Sequence, residues 1–85
     1  MGSCEAQRFD GVTETVWRAV IGRVSAGLGI AIDGPQGARS KDGFTVSWDY
    51  RASSEELTIQ CTGKPWWAPC GKVNDEIRDL VERCR

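Results

Sequence analysis

Cys70 is the residue best suited to chemistry, because it stands at the start of the last predicted helix. Backbone N–H groups at a helix start favour a thiolate and lower the pKa of a cysteine there. Lys72 and Lys64 add positive charge nearby. Cys70 is therefore a candidate reactive thiol with Cys61 as its partner, and its alkylation rate would then titrate well below a pH of about 8.5. The alternative is an inert cysteine, buried or held in a disulfide.

The stretch Trp67 to Lys72 resembles the active-site segment of thioredoxins, in which an aromatic-led loop places a thiol at a helix start. It lacks the CxxC pair, because Trp67 stands three residues before Cys70, so we assign no family. The sequence also has no histidine, the commonest general base and metal ligand. Enzymatic activity is therefore disfavoured.

The four cysteines, Cys4, Cys61, Cys70 and Cys84, are all disulfide candidates. Cys70 and Cys84 lie on one helix about 21 Å apart at 1.5 Å per residue, which prevents their pairing. Cys61 ends a predicted strand just before the helix that Cys70 begins, and Cys4 and Cys84 lie near the two termini, so Cys61–Cys70 and Cys4–Cys84 are the pairs that we expect. No CxxC zinc knuckle occurs, so we expect no metal site and no cofactor.

Trp66 and Trp67 are adjacent aromatic residues in the loop Thr62 to Pro69, with Pro65 and Pro69 on either side of them. Large rings on loops are enriched at recognition surfaces. The predicted binding residues are these two rings with the flanking lysines Lys64 and Lys72. The alternative is that at least one ring closes the open end of the core.

The first half of the chain predicts one helix, one strand and one loop. Valines at every fourth position from Val12 to Val24 indicate a helix capped by Asp10 and ended by Gly27 or Gly29. Ile30–Asp33 reads as a short strand, and 34–43 as a long loop rich in glycine.

The second half predicts two strands and a helix. Phe44, Val46, Trp48 and Tyr50 alternate with polar residues, so these four should share one buried face. The strand 57–62 should pair back antiparallel, and the apolar stripe from Val73 to Cys84 indicates a helix with Pro69 at its first helical position.

The predicted fold is therefore α+β, a two-layer αβββα sandwich with two helices on one face of a three-stranded antiparallel meander. We expect one domain over residues 1–85, with residues 1–9 as a loose arm. The polar sheet face is a candidate contact between two copies of the chain, so a homodimer is one expected assembly.

Composition narrows the classes of function. Eleven basic and twelve acidic residues give a net charge of −1, without the basic excess of a nucleic-acid binder. No apolar run approaches the roughly 18 residues of a membrane span, and the start has no signal-peptide core. We expect no nucleic-acid or membrane partner and slightly favour the cytoplasm. Met1-Gly2-Ser3 reads equally as a native start or as a cloning remnant.

These features favour a small, non-enzymatic binding or interaction module, with the Trp66–Trp67 loop as its contact surface and a small molecule or a protein as its ligand. One alternative is a thiol or redox protein that uses Cys70 and Cys61. Another is an extracytoplasmic domain stabilised by disulfides, with a structural role.

Overall fold

The computed structural model describes residues 3–85, which form two helices and one four-stranded antiparallel sheet, and this confirms the α+β class. The elements are β1 (Gln7–Phe9), α1 (Glu14–Leu28), β2 (Gln36–Lys41), β3 (Phe44–Arg51), β4 (Glu56–Gly63) and α2 (Cys70–Glu82). The strand order is β1-β4-β3-β2, and every neighbouring pair is antiparallel. The last three strands thus form a meander, to which β1 adds beyond β4.

The predicted strand number is wrong by one, because part of the predicted loose arm is a strand. β1 pairs with β4 over three residues and buries Phe9. Gln7 also ties this segment to α2, since its side-chain amide donates to the Asn74 carbonyl at 2.9 Å. A three-residue strand with one buried side chain is too short to show an alternating pattern. Residues 1 and 2 of the predicted arm lie outside the described residues.

The first strand of the meander also differs from its predicted position. β2 lies inside the predicted loop 34–43, whereas Ile30–Asp33 forms no strand. Asp42 and Gly43, with φ of 53° and 85°, make the two-residue turn that joins β2 to β3. All six residues of β2 are exposed, so the strand has no hydrophobic pattern. Ile30 is buried, and its apolar character therefore reflects contact with the core rather than strand pairing.

The ends of α1 follow from local capping. The cap is Thr13 rather than the predicted Asp10, and its hydroxyl accepts from the Val16 N–H at 3.3 Å. Val12 is fully buried just before the cap, so the chain is packed into the core before it becomes helical. Gly29 ends the helix with a φ of 67°, in agreement with one of the two predicted glycines.

The alternation predicted along β3 is confirmed. Trp48 and Tyr50 are buried, and Phe44 and Val46 are half-buried against the same core. The polar residues between them, Thr45, Ser47 and Asp49, are not buried. Both helices contribute to it, together with alternate residues of β4: Trp17, Val20, Val24, Leu57, Ile59, Cys61, Ile77 and Val81.

Trp48 and Tyr50, the two core aromatics of β3, each make a hydrogen bond through their polar atom. Tyr50 stacks on Trp17 of α1 with ring centroids 4.8 Å apart, and its hydroxyl donates to the Val12 carbonyl at 2.8 Å. The Trp48 indole N–H donates to the Gly34 carbonyl at 2.9 Å. These bonds remove the penalty of burying a hydroxyl and an indole N–H.

Tyr50 should make stability fall at alkaline pH. Burial, helped by the carboxylates of Glu14 and Glu55, raises the pKa of Tyr50 above its ordinary value. Above a pH of about 10 the unfolded chain releases a proton that the folded chain keeps, so the free energy of unfolding decreases as pH rises. At neutral pH Tyr50→Phe should cost about 1 kcal/mol through the lost hydrogen bond. Urea unfolding at increasing alkaline pH should show this difference shrinking, and a constant difference would contradict the role of Tyr50.

Candidate functional site

The loop between β4 and α2 forms a turn that is fixed at both ends. The Ala68 N–H donates to the Pro65 carbonyl at 3.1 Å, which leaves Trp66 and Trp67 as the two central residues. Ala68 is buried, and the Pro65 ring lies so close to Gly43 that a Cβ there would be 3.1 Å from it. The turn therefore presents the two indoles on a well-anchored backbone.

Both indoles face outward. Trp66 is 88 % exposed and Trp67 is 64 % exposed, which makes them the most exposed large apolar residues in the described chain. Trp67 forms a T-shaped aromatic pair with Phe44, with ring centroids 6.2 Å apart at an interplanar angle of 88°. The alternative that a ring closes the core is therefore wrong for Trp66, and Trp67 is not among the buried core residues either.

An open groove of about 1110 Å³ lies beside Trp67. Its sides are the last two turns of α1, the β2–β3 turn, the Trp67–Pro69 segment and one face of α2. Its lining is mainly apolar and includes Leu28, Ile30, Phe44, Val46, Val73 and Leu80. A groove of this size and character suits an apolar ligand or a segment of a protein.

Charged side chains of both signs surround the groove: Arg23, Lys41, Asp42, Lys72, Glu76, Asp79 and Arg83. Asp79 of α2 pairs with Arg83, the residue just after the end of the helix, at 3.0 Å. The other five make no ion pair with any residue between 3 and 85. They can therefore interact with the charges of a bound partner.

The four predicted binding residues differ in their positions relative to the groove. Trp67 and Lys72 line the groove, Trp66 stands beside it without lining it, and Lys64 is half-buried outside it. Sequence reasoning missed the contributions of the β2–β3 turn and of α1. No local signal marks them, because the groove is assembled from segments that are far apart in the chain.

The cysteines pair differently from both predictions, since Cys4 forms a disulfide with Cys70. The Cys4 N–H donates to the Cys61 carbonyl at 2.8 Å, and this bond holds the N-terminal segment against the end of β4, next to the start of α2. Cys61 and Cys84 carry free thiols, and the buried Cys61 thiol donates to the Gly63 carbonyl at 3.2 Å. The predicted Cys61–Cys70 and Cys4–Cys84 pairs are not formed, and Cys70 has no thiol to titrate.

Neither helix of residues 3–85 has the length and apolar character needed to cross a bilayer. A scan against protein-family models and searches of curated proteins and of solved structures found no match. The groove and its tryptophan turn are therefore the features from which a function can be proposed.

Removing the disulfide should destabilise the fold. Cys4 and Cys70 are 66 residues apart. In the chain-entropy view, closing a loop of this length stabilises the folded state by about 4 kcal/mol, and measured losses are typically about 2–4 kcal/mol. Cys4→Ser should lower the urea midpoint accordingly, whereas the control Cys84→Ser should change it little. Equal stability with and without a reductant would contradict the pairing.

The number and the identity of the reactive thiols should distinguish this pairing from the predicted ones. In the native protein, a thiol-reactive dye should label the half-buried Cys84 and react only slowly with the fully buried Cys61. Denaturation should expose both free thiols, and added reductant should raise the count to all four cysteines. Peptide mapping of the labelled chain identifies the modified cysteines. If Cys4 or Cys70 is modified before reduction, the Cys4–Cys70 disulfide is wrong.

Proposed function

We propose that the protein is a non-enzymatic interaction module that binds an apolar segment of a protein in the groove beside Trp67. The observation that carries this proposal is the exposure of Trp66 and Trp67, at 88 % and 64 %, next to an open apolar groove. Contiguous exposed apolar surface of this kind marks interaction sites. Tryptophan is also enriched among the residues that dominate binding energy at interfaces.

The length of the groove favours a protein segment over a small molecule. The α2 wall runs from Pro69 to Arg83, about 21 Å at 1.5 Å per residue. That span corresponds to about four helical turns or about six extended residues. The charges of both signs around an apolar centre are also typical of protein interfaces.

The backbone of the tryptophan turn and the start of α2 are held in place without a bound partner. The turn hydrogen bond fixes the backbone on both sides of the indoles, and the disulfide fixes the first residue of the α2 wall. We also place both helices on one face of the sheet, so that β3 forms the floor between them. Such rigidity reduces the conformational entropy that binding would otherwise remove.

The alternative thiol function has no supporting observation. Cys70 is joined to Cys4, and the Cys61 thiol is fully buried and bonded to a carbonyl. The disulfide instead supports residence in an oxidising compartment. This inference runs against the slight preference for the cytoplasm drawn from the sequence.

Replacing both exposed tryptophans should abolish binding and leave the fold intact. Phage-displayed random peptides of about 16 residues, selected on the immobilised wild-type protein, should yield binders whose apolar residues follow helical spacing. These peptides should lose binding to the Trp66→Ala, Trp67→Ala double variant. Its free energy of unfolding should change by no more than about 1 kcal/mol, because both side chains are exposed.

Arg18→Ala is the matched control, since Arg18 is an exposed residue of α1 that does not line the groove. It should bind the selected peptides as the wild type does. If the double variant unfolds, or if it keeps its affinity for the peptides, the indoles are not recognition residues and the proposal fails.

A further inference from the structure

We propose that the protein segment recognised by the groove belongs to a second copy of this chain, in a two-fold symmetric dimer where each Trp66 enters the partner's groove. The inference rests on the proposed function and names its partner. It is carried by three observations on one surface: a projecting ring, a cavity beside it, and charges of both signs around them.

The projection and the cavity lie next to each other. Trp66 is 88 % exposed, and it makes no aromatic contact within the described residues. The next residue, Trp67, forms part of the groove wall. In a two-fold interface the same patch is used by both subunits, so one patch that holds both a projection and a cavity is complementary to itself. Trp66 needs no structural change to serve as the projection, because its turn is already fixed.

The charges around the groove are compatible with such self-pairing. Arg23, Lys41 and Lys72 are cations, whereas Asp42 and Glu76 are anions. None of the five has an ion-pair partner among residues 3–85. A patch of one sign would repel its own copy across a two-fold axis. Mixed signs allow a cation of one subunit to face an anion of the other. The same mixture does not favour a strongly acidic or strongly basic partner.

The expected buried area indicates a concentration-dependent dimer. One tryptophan buries about 150–250 Å² of its own surface, so two reciprocal Trp66 rings, together with the groove surface that they cover, account for about 600–1,000 Å². A stable specific interface needs at least about 1,000 Å² in total. The rest must come from the groove walls on α2 and the β2–β3 turn, which would face each other in the dimer. The interface is therefore at the small end of the range for specific complexes.

Sedimentation of the disulfide-intact chain over a wide range of concentrations tests the dimer. The wild type should pass from monomer to dimer as its concentration rises. Trp66→Ala removes the projection, and Ala26→Arg fills the cavity from an exposed position on α1. Each variant alone should raise the dissociation constant of the dimer by at least about tenfold. Replacing a tryptophan at the centre of an interface commonly weakens affinity by more than this.

A mixture of the two variants provides the sharper test. Trp66→Ala keeps an open groove and Ala26→Arg keeps a projection, so an equimolar mixture recovers one of the two contacts. The mixture should therefore dimerise at concentrations where neither variant does alone. Trp66→Phe, which retains a ring, should restore part of the affinity. Thermal melts of each variant check that the fold is intact.

Two results would overturn the dimer. One is a wild type that stays monomeric up to millimolar concentration, and the other is a mixture that associates no better than its components. If the selected peptides still bind through the two tryptophans while the chain stays monomeric, the second-copy assignment alone fails. If the peptides also bind the double tryptophan variant unchanged, the proposed function fails with it.

Discussion

The alternation of side chains along β3 is the constraint on which both the core and the groove depend. Trp48 and Tyr50, near the end of the strand, fill the core, and Tyr50 holds α1 through its stack on Trp17. Phe44 and Val46, near its start, point to the same side but line the groove. A one-residue slip would turn all four to the polar face. It would remove the core and the floor of the groove together.

The N-terminal segment holds the α2 wall of the groove near both of its ends. The disulfide to Cys4 fixes Cys70 at the start of α2, and the Arg85 guanidinium donates to the Asp10 carbonyl just past its end. Between these points α2 buries only Ile77 and Val81. A helix with so few buried residues needs such anchors to stay in place, so the N-terminal segment supports the groove without lining it.

Sequence reasoning succeeded where side chains alternate over a long run and failed where they do not. The seven residues from Phe44 to Tyr50 predicted the central strand and its buried face correctly. β2 was missed because it is exposed on both faces, although Asp42-Gly43 is a strong hairpin signal that should have located it. The Trp66–Trp67 turn was recognised as a candidate site from two adjacent rings flanked by prolines, but the sequence left open whether a ring closes the core. The rest of the groove and the Cys4–Cys70 pair were not recognised, because each joins residues that only the folded chain brings together.

The four tryptophans fall into two optical classes. Trp17 and Trp48 are buried, whereas Trp66 and Trp67 are largely in water. Emission from the buried pair reports on the packing of the core, and quenching by a water-soluble anion selects the exposed pair. The unmodified chain therefore contains separate fluorescent reporters for folding and for occupancy of its groove. Loss of quenching without a change in the core emission would mark association of a folded protein rather than its rearrangement.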